Sequence, residues 1–348
     1  MVQRWQRYWQ RTMCGMVAIA MTLSGCTTRL NDVAVAQNAR PSQSTTRPVV
    51  TFDGTPPPWA DTATEIMAQL EAWRDLSFTS DLQVTFETQA DPTLNGWYNS
   101  ETKQLSVTTD ASETLGQGVL LHEIFHALQD QNFDLYNLRV QSMEEPDYNQ
   151  AVSAIIEGEA MLAVSELMNY RFLDHARLPA AGEVNEALFE SIFLYGTGQQ
   201  FVQAIREQGG WAAVDAMFQD PPQSTALIFS PDRYIAGERT ARSVDVPLSA
   251  GESLQAEAVR GAYAVHWLFA RFPESRMQLS QLADSYVADT LGIVSTEGEE
   301  ILHRWAVEFE SPEAATALRV SFEDALRADA DTALATVSVD ESILIAQW

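Results

Sequence analysis

An α+β fold, mainly helical with one small antiparallel sheet ahead of its central helix, is what the sequence predicts. Three observations carry this. Apolar residues recur at helical spacing through most of the chain, while two short runs in its first third alternate apolar and polar residues. Seventeen glycines and 14 prolines in 348 residues exclude collagen-like and wholly disordered classes. The length suits one large domain or two moderate ones.

Residues 1–12 carry Arg4, Arg7 and Arg11 and no acid, and an apolar run from Met13 ends in Leu23-Ser24-Gly25-Cys26. A basic start, a short apolar stretch and a small-residue end read as a secretory signal over 1–25, too short to span a membrane as a mature helix. The last four residues resemble the bacterial lipobox. That resemblance implies cleavage before Cys26, a lipid on Cys26, and a chain held on a membrane outside the cytoplasm. Thr27 in place of aspartate favours an outer membrane where the cell has one. Cys14 and Cys26 are the two cysteines; removing one and capping the other excludes an internal disulfide, a catalytic cysteine and a cysteine metal site.

Residues 26–58, rich in Thr, Ser, Pro and Asn and ending in Pro56 to Pro58, are expected to form a flexible tether. The folded region is expected over 59–348. Ile66, Leu70 and Trp73 predict a helix over about 60–75. The alternating runs 82–88 and 104–109 predict the small antiparallel sheet. Asp110, with Glu113 three residues on, predicts the start of a helix reaching about 131. Further helices are expected over about 148–173, 184–208, 210–218, 251–271, 276–289, 297–309 and 312–328. Loops are expected at 219–222 and 236–252, and the closing Ser-Ile-Leu-Ile-Ala-Gln-Trp is expected to add a strand.

Chemistry concentrates in Leu-Leu-His-Glu-Ile-Phe-His-Ala-Leu, 120–128. On a helix, residues four apart share a face, so His122 and His126 can offer imidazole nitrogens to one metal ion, with Glu123 beside them free to act as a base. A catalytic zinc needs one more protein ligand and keeps a position for water. Glu157 in Ile-Ile-Glu-Gly-Glu-Ala is the leading candidate, because an acid on an apolar helix face needs a cation. Gly158 beside it, costly inside a helix, suggests a close approach of backbone or ligand. Glu159 is the rival ligand, and a histidine or another acid stays open. Asp130, four residues after His126 on its helix, is a candidate carboxylate acceptor supporting the ligand His122. Tyr234 and Tyr195 are the candidate donors to a developing oxyanion. His266 reads as a core histidine, Ser224 and Thr225 as a helix cap, and Trp211 after Gly209-Gly210 as a helix–helix anchor.

With 21 Lys plus Arg against 48 Asp plus Glu, the net charge is −27, which argues against nucleic-acid binding. The acid excess with a single lysine, Lys103, resembles salt-adapted proteins and equally fits an ordinary acidic surface. No serine-hydrolase elbow, phosphate loop or calcium loop occurs.

The histidine pair with a downstream glutamate resembles the zincin metallopeptidases in their gluzincin arrangement. More narrowly, His122–Gln131, the Glu-Gly-Glu-Ala stretch and residues 201–234 resemble a family of bacterial lipoproteins grouped with the metallopeptidases. The resemblance implies one zinc ion on His122, His126 and Glu157, water activated by the metal with Glu123 as general base, and a peptide or protein substrate laid along an edge strand at 104–109. The thermolysin-type aspartate four residues after the glutamate is Met161 here. Two other readings stay open: a non-catalytic envelope binding or chaperone lipoprotein, and an amide hydrolase acting on cell-wall peptide.

Overall fold

The computed structural model describes residues 48–87, 95–109, 112–169, 186–270, 284–298, 300–328 and 332–348. Expectations for the signal, Cys26 and most of the tether lie outside these residues. So do those for Asp110 and residues 170–173 and 271–283.

The fold is α+β with two sheets. In the first half, β1 (Val50–Asp53), β2 (Leu82–Glu87), β3 (Gly96–Asn99) and β4 (Gln104–Thr108) form one sheet in the order β1-β2-β4-β3. A 3-10 turn (Pro58–Thr62) and helix α1 (Ala63–Arg74) connect β1 to β2. This sheet is mixed, which corrects the expectation of an antiparallel one: β1 and β4 both run parallel to β2, and only β3 is antiparallel to β4. The two alternating runs read as antiparallel strands are in fact parallel partners, because Gly96–Asn99 takes the antiparallel place beside β4. The tether also ends earlier than expected, since Val50–Asp53 has a sheet edge to pair with.

Helix α2 (Glu113–Phe133) carries the histidines and lies across this sheet with α1 beside it. Its start falls after Ser112, close to the expected position. Helices α3 (Leu135–Ser142) and α4 (Pro146–Leu167) follow, Pro146 occupying a first-turn position where its missing N–H costs nothing. Helix α5 (Glu186–Ser191) runs through a π-helical turn (Ile192–Thr197) into α6 (Gly198–Gln219), which bends at Gly209 and Gly210. Trp211 after the bend packs edge-on against Trp73 at 4.7 Å, the anchoring that its position suggested. Two short helices, α7 (Thr225–Phe229) and α8 (Pro231–Ile235), complete the helical core, with Ser224 Oγ accepting from Ala226 N–H as its cap reading implied.

The helical C-terminal part expected from the sequence is corrected in part: 312–328 is helical almost as expected and 251–271 is helical in its second half, but the rest is sheet. Strands β5 (Ser253–Ala258), β6 (Tyr286–Ser295), β7 (Ile301–Phe309), β8 (Thr336–Asp340) and β9 (Ile343–Gln347) form an antiparallel sheet ordered β5-β6-β7-β9-β8. Helices α9 (Gly261–Ala270) and α10 (Pro312–Arg327) share its apolar core. Leu302, Trp305, Ala306 and Phe309 fit a helical repeat, but β7 is central and its Arg304–Val307 stretch is buried continuously, which erases alternation. Strand β5 is exposed along its length, and its helix-forming residues are held extended by pairing with β6. The closing strand expected from the sequence is β9.

Candidate metal centre

Every residue of α2 from Val119 to Asp130 is buried, so its polar members must find partners inside the protein. His122 and His126 project together, and Glu157 reaches them from α4. The two Nε2 atoms are 2.9 Å apart, and Glu157 Oε2 lies 3.2 Å from that of His122 and 3.1 Å from that of His126. These are the three residues that could share a metal ion among the described residues. Zinc bonds of roughly 2.0–2.1 Å in tetrahedral directions place neighbouring ligand atoms roughly 3.3 Å apart, so the donor set fits such an ion.

Glu157 is placed by backbone packing. A Cβ built on Gly158 would lie 2.2 Å from the carbonyl carbon of Gly198, and one on Gly198 would lie 2.2 Å from the Ala154 carbonyl oxygen. Two helices therefore meet main chain to main chain, the close approach that Gly158 suggested. The same contact brings Tyr195, in the π-helical turn, against His122 with ring centres 6.0 Å apart.

Electrostatics favour a cation at this point. Burial opposes ionisation of Glu157, yet the two histidines outweigh it and hold its carboxyl well below the usual range. Burial also opposes the charge on His126, but Glu157, Glu123 and Gln129 lift its imidazole to about 9. Burial and the neighbouring His126 push His122 down. Burial pushes the Glu123 carboxyl up to about 8, with His126 opposing and Glu157 adding. An added divalent charge would draw Glu123 back toward its ionised form.

Tyr98, Ser100, Glu123, Leu135 and Arg139 line the pocket with the three ligand residues. Arg139 stands 3.6 Å from Glu157 Oε1, the oxygen turned away from the histidines. Sequence reasoning missed Arg139, whose signal was weak: a basic residue soon after the histidine helix in an acidic chain. The supporting role considered for Asp130 is corrected. Its carboxylate accepts from Tyr98 Oη at 2.7 Å, Lys103 Nζ at 2.6 Å and Leu135 N–H at 3.1 Å, while His126 Nδ1 meets Gln129 Oε1 at 2.8 Å. Glu159, the rival ligand, points away and pairs with Arg74. Tyr234 is not brought to the pocket: its hydroxyl donates to the Asp220 carbonyl and its ring packs on Phe201. His266 is a buried histidine stacked on Phe229. Among the described residues the edge strand beside the pocket is β3, since β4 is paired on both sides. Gly96 on β3 passes so near α2 that an added Cβ would lie 3.1 Å from Glu123 Cγ. No helix among the described residues is long and apolar enough to cross a membrane. No protein-family model, curated protein or solved structure matches this chain.

Proposed function

We propose that this protein is a zincin-like, zinc-dependent peptidase, tethered outside the cytoplasm through a lipid on Cys26. The observation that carries the reading is the convergence of His122 Nε2, His126 Nε2 and Glu157 Oε2 to within 2.9–3.2 Å of one another, with Glu123 lining the same pocket. A zinc ion bound there would supply Lewis acidity, polarising a scissile carbonyl and making water acidic enough to serve as nucleophile near neutral pH. Glu123 accepts the proton of the attacking water and hands it to the leaving amine. Arg139 offers guanidinium hydrogens to the developing negative charge, in the role first considered for Tyr234 and Tyr195. Tyr195 instead packs on His122 and holds its ring. An extended peptide adds to the free edge of β3, which corrects the expected edge at 104–109 and sets the scissile bond beside Glu123.

The test pairs metal content with peptide hydrolysis on the same preparations. Glu123→Gln keeps near-stoichiometric zinc and loses roughly 10²–10⁴-fold in turnover. Glu157→Ala loses zinc, and activity falls with it. Full activity in Glu123→Gln rejects the mechanism. Wild-type protein that holds zinc but cleaves neither casein, a peptide library nor cell-wall peptide is instead a binding protein.

A further inference from the structure

Behind the metal-binding face runs a second buried polar chain that the catalytic reading does not use. Gln129 Nε2 donates to the Ile156 carbonyl at 3.1 Å and to Glu159 Oε2 at 2.8 Å. The other Glu159 oxygen accepts from Arg74 Nε at 2.5 Å, and Arg74 Nη2 reaches Asp215 Oδ1 at 2.6 Å. Arg74 and Glu159 are almost wholly buried, whereas Asp215 is 39% exposed. The Arg74 guanidinium is clamped over Trp211, 4.5 Å from the ring centre. The chain thus joins α1, α2, α4 and α6, and it ends on His126 Nδ1.

Its polarity is determined. Both groups facing one end of the Gln129 amide, a backbone carbonyl and a carboxylate, are acceptors, so that end must be the NH2. The oxygen therefore faces His126, and His126 Nδ1 must carry the donated proton. Its Nε2, which faces His122 and Glu157, is then the nitrogen left to bind a metal ion. Burial pushes the Glu159 carboxyl up, but Arg74 and Gln129 oppose this.

We propose that Gln129, Glu159 and Arg74 act as positioning residues that lock His126 in the tautomer and orientation able to bind a metal ion. The inference rests on the metal reading of His122, His126 and Glu157. It has a consequence opposite to the one expected of a residue that is merely a failed rival ligand. Glu159→Gln retains size yet places a second NH2 against that of Gln129. Relieving the clash by turning the Gln129 amide presents NH2 to His126 Nδ1 and moves the ring proton to Nε2, the metal-binding nitrogen. Exchanging the two groups, as Gln129→Glu with Glu159→Gln, restores an acceptor for Nδ1 and keeps the pairing with Arg74, at the expense of the donor to Ile156.

The experiment measures zinc affinity of the full chain by competition with a chromogenic chelator, for wild type, Glu159→Gln, Gln129→Met and the exchanged pair. Thermal unfolding of each zinc-free protein is recorded alongside. Outer hydrogen-bond partners of metal-ligating histidines are typically worth 10–100-fold in affinity, so both single variants should bind zinc about that much more weakly. The exchanged pair should recover at least half of the loss on a logarithmic scale. With only five histidines in the chain, nitrogen-15 spectra of histidine-labelled protein should show a hydrogen-bonded Nδ1 proton on His126 that is lost in Gln129→Met. A chain that only stabilises the fold would lower melting temperature in the single variants without changing the zinc affinity of folded protein, and that result overturns the proposal. So does a His126 whose Nδ1 carries no proton in zinc-free wild type. Failure of wild type to bind zinc at all would overturn the metal reading itself, with the spectra still reporting on the chain.

Discussion

At the scale of single residues, burial decides what each ionisable group does. His266 shows this outside the metal centre. Burial lowers its imidazole to about 4, so the folded protein holds it neutral where the unfolded chain, near 6.5, takes a proton. The folded pKa lies below the unfolded one, so its contribution is complete above about pH 6.5 and is lost as pH falls toward about 4. Between about pH 7.5 and about pH 5 this removes about 2 kcal/mol of stability. Urea unfolding at both values should show a smaller pH dependence for His266→Phe than for wild type, by about that amount. An equal dependence would mean that His266 is solvated. The reading of His266 as a core residue was available from the apolar helix around it. The true partner of His126 was not: Gln129 and Asp130 are adjacent in sequence, and only the surrounding acceptors and donors show which of them faces the ring.

Among the elements, the contact of α4 with the π-helical turn and α6 sets the site. Gly158 and Gly198 allow the main chains to meet, which places Glu157 on the histidines and Tyr195 behind them. Gly158→Ala forces a methyl to within 2.2 Å of the Gly198 carbonyl carbon, and such overpacking typically costs about 1–3 kcal/mol or more. Calorimetry should show a melting temperature lower by at least a few degrees, with weaker zinc binding because Glu157 moves with its helix. Gly298→Ala is the control, since among the described residues its added Cβ meets only Thr296 Oγ1 at 3.7 Å, and it should change neither quantity. The sequence pointed to this contact through the oddity of glycine inside an apolar helix. It carried no sign of which helix would be approached.

For the whole molecule, the excess of acid dominates. A net charge of −27 with Lys103 as the sole lysine, itself engaged by Asp130, leaves strong repulsion across the surface. Melting temperature should therefore rise with sodium chloride and level off as the Debye length approaches about 3 Å near 1 M. A flat or falling response across that range would show that acid–acid repulsion does not limit stability. The charge is read from composition alone, whereas the division into a histidine-bearing half and a separate antiparallel sheet is not.

What the sequence determined by itself is local. Helical geometry places residues four apart on one face, so His122 and His126 were bound to converge once 113–133 formed a helix, and Glu157 followed from an acid on an apolar face. The tertiary structure decided everything that depends on pairing between distant segments. It made the first sheet mixed, moved the edge strand from 104–109 to Gly96–Asn99, and turned 253–258, 286–295 and 301–309 into strands. It also drew Arg139 into the pocket and closed the chain from Asp215 through Arg74, Glu159 and Gln129 onto His126. The reason is physical. A helix closes its hydrogen bonds within a few residues and so leaves its period in the sequence, whereas a strand or a buried polar chain is completed by partners tens of residues away.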